Sequence, residues 1–143
     1  MKCVMYVSKT LKTLSNDQLR ALADLSTINN EIIGITGYLY FNKNRFLQYM
    51  EGSEKEIDNL LDKIKQDSRH ELTILIEENQ KMRRRFPNWS MKNIAELMPD
   101  NTIIETTIIQ TMSIFGENEL TISTRNQNEL FKLMDNLSLA LLK

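Results

Sequence analysis

Two runs of strand-forming residues, 34–41 and 45–50, are separated only by Asn42-Lys43-Asn44, and that spacing leaves the middle of the chain one simple arrangement. Asparagine tolerates the left-handed backbone conformations that a tight connection needs, so the runs are expected to pair as an antiparallel hairpin. Directly after Gly52, Ser53 and Glu56 have the spacing of a capping box, and Ile57, Leu60, Leu61 and Ile64 form an i, i+3, i+4, i+7 apolar stripe. A hairpin running straight into an amphipathic helix lays that helix back across its own sheet.

The flanking segments extend the pattern. Residues 2–8 read as a first strand, with Val4, Tyr6 and Ser8 on one face and Cys3, Met5 and Val7 on the other. Ser15 and Gln18 resemble a second capping box. Leu19, Leu22, Leu25 and Ile28 then recur near helical spacing up to Asn29-Asn30, which predicts a helix over 16–28. Residues 72–76 read as a fourth strand and 86–94 as a fifth, beyond the basic run Lys81-Met82-Arg83-Arg84-Arg85.

The order βαββαββ predicts an α+β fold whose first six elements are ferredoxin-like, with two helices on one face of an antiparallel sheet. Past Pro99-Asp100, two amphipathic segments, 101–115 closed by Gly116 and 126–142, are expected to form a two-helix cap on the other face. Residues 1–94 are thus expected to form the domain and 95–143 a helical extension packed on its sheet.

Composition narrows the function classes. A chain of 143 residues fits one domain and its appendage. With 18 basic against 19 acidic residues it exerts no general pull on nucleic acid or an anionic membrane. The single cysteine, Cys3, and the single histidine, His70, argue against a disulfide or a structural metal and for a reducing, cytoplasmic setting. No apolar run has the length of a membrane span, and no phosphate-loop, dinucleotide-fingerprint, nucleophile-elbow or zinc-protease motif occurs.

A few residues stand out. Gln48 shares a strand face with Phe46 and Met50, and a buried amide left unsatisfied costs about 1–3 kcal/mol. The ordinary solution is pairing with backbone or a neighbouring tyrosine. Tyr6, central in the first strand, is read as a core tyrosine, Asn29-Asn30 as a helix cap, and Trp89 and Met91 as packing residues on one strand face. His70 follows Asp67 and Arg69 beyond the second helix, where cations suit the helix dipole. The basic run lacks interleaved aromatics, which favours a solvated loop over a phosphate site.

Taken together, Tyr6, Asn29-Asn30 with Gly34-Ile35-Thr36-Gly37, Phe46-Leu47-Gln48 with Glu51-Gly52, Asp67 with Arg69-His70, and Trp89-Ser90-Met91 resemble the BLUF family of blue-light photoreceptors, in order and approximate spacing. The resemblance covers residues 1–94, and residues 95–143 are only loosely similar to the two-helix extension of short members. It implies a noncovalently bound flavin between the two helices, usually FAD, with FMN or riboflavin also accepted. Tyr6 would be the electron and proton donor, Gln48 would link it to the flavin, and Asn30 would bond the ring. Asn29, Lys63, Asp67, Arg69 and His70 would face the ribityl and phosphate region, and Leu22 and Ile64 would wall the ring.

Where some relatives carry arginine this chain has Lys63, which keeps the charge and loses the bidentate grip on phosphate. Family-like photochemistry implies electron and proton transfer from Tyr6, a rotated or tautomerised Gln48, and a small red shift, relayed through Trp89 or Met91. With the chain ending at Lys143, the expectation is a sensor rather than an enzyme, acting on an unidentified downstream protein or through a homo-oligomer, without nucleic acid or membrane as partner. The competing expectation is a small ferredoxin-like nucleic-acid-binding or enzymatic domain without flavin photochemistry; a conventional flavin enzyme comes third.

Overall fold

The computed structural model describes residues 1–42, 44–79, 83–88, 90–92, 103–118 and 120–141. Strand β1 (Lys2–Thr10) leads to helix α1 (Asn16–Ile32), the hairpin β2 (Thr36–Asn42) and β3 (Arg45–Gly52), helix α2 (Glu54–Gln66), β4 (His70–Asn79) and β5 (Ser90–Lys92). Two helices, α3 (Ile103–Glu117) and α4 (Thr124–Leu141), follow. The sheet order is β4-β1-β3-β2-β5. The first four strands pair antiparallel with their neighbours, and β5 adds to the β2 edge in parallel. This is the α+β, ferredoxin-like arrangement expected from the element order.

Alternation along the strands decides what each helix covers. Val4 and Tyr6 join Leu39, Phe46 and Met50 on one face, where Ile57 and Leu61 of α2 are buried and Leu19 and Leu22 of α1 pack alongside. Cys3, Met5 and Val7 join Tyr38, Tyr40, Leu47 and Tyr49 on the other. Ile108 and Met112 of α3 and Phe131 and Met134 of α4 cover that second face, so the C-terminal helices form the expected cap.

Local chemistry explains most boundaries. Asn44 has a φ of 66°, the left-handed conformation anticipated at the hairpin. Ser15 and Gln18 complete a reciprocal capping box at α1, and Ser53 Oγ accepts the Glu56 amide at α2.

Helix α1 does not stop at Asn29-Asn30 but continues to Ile32, and Gly34, at a φ of 70°, makes the turn instead. Nor does Gly116 close α3, which runs on to Glu117. A Cβ at Gly116 would lie 2.7 Å from the Thr73 carbonyl oxygen, so its bare backbone lets α3 press against β4.

Strand β4 is longer than the expected 72–76, pairing with β1 from His70 to Asn79. Of the expected fifth strand at 86–94, the described strand residues are Ser90–Lys92. Phe86 to Asn88 form bends and a turn instead, where Pro87 has no N–H to give a ladder. Trp89 and residues 93–94 lie outside the described residues.

The basic run departs furthest from expectation. Rather than projecting into solvent, Arg84 donates to Thr36 Oγ1 at 2.9 Å, the Gly34 carbonyl at 2.9 Å and the Glu51 carbonyl at 3.2 Å. It clamps the turn between α1 and β2. Arg85 is buried outright and paired to Asp135 and Glu78. Arg83 is exposed, and Lys81 and Met82 lie outside the described residues. Among the described residues no helix is long and apolar enough to cross a membrane, and none of the His, Cys, Asp and Glu side chains cluster as a metal site.

Candidate functional site

Helices α1 and α2 lie over the same sheet face, and between them is a cavity of about 570 Å³, a size typical of small-molecule sites. Its floor is laid by strand alternation: Tyr6 and Thr10 from β1, Leu39 from β2, Phe46 and Gln48 from β3. One wall is a helical stripe of α1, formed by Gln18, Ala21, Leu22, Leu25, Ser26, Asn29 and Asn30. The other is Leu60, Lys63 and Ile64 of α2, and Asp67, Arg69 and His70 close the end beyond that helix.

At the floor, Tyr6 and Gln48 stand opposite each other in the β1–β3 register. The Tyr6 hydroxyl donates to Gln48 Oε1, and both residues are buried. Gln48 therefore has the tyrosine partner that a buried amide requires. Burial, assisted by the nearby Asp67 charge, pushes the Tyr6 phenol well above its ordinary range, so it stays neutral and keeps its proton. Asn30 is 2% exposed, an uncommon depth for an asparagine on a helix wall.

The far end is polar and charged. Arg69 grips Asp67 through Nε at 3.0 Å and Nη2 at 2.6 Å, and its backbone N–H adds a bond at 2.9 Å. The side-chain hydrogen bonds of Arg69 hold the Asp67 carboxyl down at about 2, against the opposing effect of burial. His70 Nε2 lies 3.1 Å from the Ile64 carbonyl, tying the start of β4 to the end of α2.

Since the folded value for Asp67 lies below its ordinary 3.8, the stability it contributes is complete above that pH and is lost as pH falls towards 2. Replacing Arg69 with methionine is expected to return Asp67 towards 3.8 in a carbon-detected NMR titration; a carboxyl that still titrates near 2 would show that Arg69 does not hold it.

Every cofactor-facing residue nominated from sequence lines this one cavity: Tyr6, Leu22, Asn29, Asn30, Gln48, Lys63, Ile64, Asp67, Arg69 and His70. The nominated relay pair is different. Trp89 lies outside the described residues, and Met91 sits in β5 with its side chain likewise outside them. Sequence reasoning missed Thr10, Leu14, Gln18, Ala21, Leu25, Ser26, Leu39, Phe46 and Leu60. Helical spacing from Leu22 and Asn29 would have found Gln18, Leu25 and Ser26, and strand spacing from Tyr6 and Gln48 would have found Thr10 and Phe46.

The donor set suits a flat molecule with apolar faces, a polar rim and an anionic tail. Leu22, Leu60 and Ile64 supply apolar walls, Gln48 and Asn30 supply amides, and Lys63 supplies a cation at one end beside the Asp67–Arg69 ion pair. Leu25 lines the cavity yet is 53% exposed, so the wall keeps apolar surface that the chain itself does not cover.

Comparison with known proteins bears on the same segment. The family model described as sensors of blue-light using FAD matches residues 1–92. Photoactivated adenylate cyclase subunit beta of Euglena gracilis is 34% identical over 95 residues, which is 65% of this chain and 11% of that protein. The structure of a bacterial light-regulated adenylyl cyclase superposes with a TM-score of 0.64 at 32% identity, over 78% of this chain and 33% of its own. BlrB, a BLUF protein in its dark state, shares the fold with a TM-score of 0.68 at 23% identity, covering 98% of this chain and 96% of that one. The chain thus spans about a tenth of the Euglena relative and a third of the bacterial cyclase.

Proposed function

The chain belongs to the BLUF family of blue-light sensors using FAD, and from that membership we propose that it is a sensor module whose own residues convert light absorption at a bound flavin into a changed hydrogen-bond pattern around Gln48. The observation that carries this is the buried Tyr6–Gln48 bond at the floor of a cavity walled by two helices. When bound, the flavin supplies the visible absorption and the redox-active excited state.

Tyr6 holds its proton at Oη in the resting state and, on giving an electron to the excited flavin, would release that proton towards Gln48 Oε1. A Gln48 amide that then rotates or changes tautomer presents a different donor and acceptor to the cavity. Leu22 and Ile64 keep water from the walls, Asn30 is set to orient the ring, and Asn29, Lys63, Asp67, Arg69 and His70 form the polar end for a ribityl and phosphate chain. FAD is the expected flavin, and FMN and riboflavin are expected to be accepted as well, because a lysine at position 63 would grip phosphate at a single point and hold the distal nucleotide less firmly.

In this proposal residues 1–94 form the sensor and 95–143 its output helices. The signal passes to a separate protein or through self-association in the cytoplasm, with no catalysis by these residues. The nucleic-acid reading loses its best support, because Arg84 and Arg85 of the basic run are engaged inside the fold.

Release of the bound cofactor by heat, followed by chromatography, tests the binding step. FAD recovered at close to one per chain is the expected result. Protein that is colourless and takes up no added flavin would overturn the proposal.

A further inference from the structure

Alternation along β3 turns Gln48 towards the cavity and its neighbours Tyr49 and Glu51 towards the opposite face. There the fully buried Glu51 carboxylate accepts from Thr36 Oγ1 at 2.9 Å, Tyr49 Oη at 2.7 Å, the Arg85 amide at 2.8 Å and the Phe86 amide at 2.9 Å. One side chain of β3 thus holds Arg85 and Phe86, which precede β5. The Arg85 guanidinium then reaches three elements at once. Nη1 donates to Tyr49 Oη at 2.9 Å, Nη2 to Glu78 of β4 at 3.2 Å, and Nε to Asp135 of α4 at 2.5 Å. It also sits 5.3 Å from the ring centroids of both Tyr49 and Phe131.

These contacts are not equivalent. The Arg85 side chain is 3% exposed, whereas Glu78 is 26% and Asp135 41% exposed. Breaking the network at Tyr49 or Glu51 strands a buried polar group, but at Asp135 water can replace the guanidinium. The bond to α4 is therefore the contact of this network that is least costly to open. Tyr49, next in sequence to Gln48, both donates to Glu51 and accepts from Arg85, so it feels any movement of the strand that carries Gln48.

Resting on the sensor function proposed above, we infer that Arg85 is a coupling residue, and that its ion pair with Asp135 transmits the lit-state change of β3 to α4 by a route separate from β5. Coupling of this kind is reciprocal, so α4 also biases the state of the site.

The test uses the full, flavin-loaded chain as wild type, Asp135→Ala and Asp135→Glu, with hydrogen–deuterium exchange of residues 124–141 measured in darkness and under blue light and the absorption spectrum recorded on the same samples. Wild type and Asp135→Glu are expected to show a light-induced rise in α4 exchange. Asp135→Ala is expected to keep the red shift while its light-minus-dark difference shrinks about fivefold or more, with an altered rate of dark recovery. A merely structural pair would lower the melting temperature of Asp135→Ala and leave that difference unchanged, which would overturn the coupling. So would a wild type that shifts its spectrum with no change in α4. Absence of any red shift in wild type would instead remove the sensor function, and the coupling with it.

Discussion

Replacing Gln48 with leucine is expected to abolish the light-induced red shift while flavin stays bound. Leucine is close to glutamine in length and fills the same space between Phe46 and Met50, so the floor of the cavity keeps its shape. What disappears is the amide, and with it the acceptor for the Tyr6 hydroxyl and the hydrogen-bonding group that β3 presents to the cavity. Tyr6 is then a buried donor without this partner, which is expected to lower stability by about 1–3 kcal/mol. Light-minus-dark absorption and thermal denaturation of the same preparation separate the two effects. A normal shift in the leucine variant would remove Gln48 from the mechanism.

The second large effect lies on the other face of the same strand. Glu51→Leu is expected to lower stability by at least about 4 kcal/mol, because four donors lose a fully buried acceptor. For a domain of this size that corresponds to a drop of about 10 °C in melting temperature. Glu51→Gln should fall less, since its amide retains one oxygen acceptor. Calorimetry decides the matter, and a leucine variant that melts within about 2 °C of wild type would show that the network contributes little.

Much of this architecture is written in local sequence. The pairing of β2 with β3 through Asn42 and Asn44, the serine caps of α1 and α2 and the two faces of β1 all follow from interactions a few residues apart, and the structure keeps them. The errors share a different origin. Asn29-Asn30 read as a helix end because asparagine favours caps, but both line the cavity between helices that only tertiary packing brings together. Gly116 read as a terminator because its purpose, close approach to Thr73, depends on a strand more than forty positions earlier in the chain. Arg84 and Arg85 read as solvated because a basic run carries no sign that Glu51, Thr36 and Asp135 wait for it inside the fold.

The site was legible for a related reason. Polar residues at apolar positions are visible in one dimension, as Gln48 is between Phe46 and Met50, whereas apolar residues that face a ligand are not. Leu25 and Leu60 look like ordinary core positions until the fold shows that both line the cavity between α1 and α2.

The central claim is that light rearranges the hydrogen bonds of Gln48 around an intact flavin, and the absorption spectrum of the purified chain in darkness, under blue light and again in darkness tests it most directly. The account predicts flavin bands that keep their shape, move slightly to the red in the light and return in the dark. Bands that bleach, or that do not move at all, would contradict it.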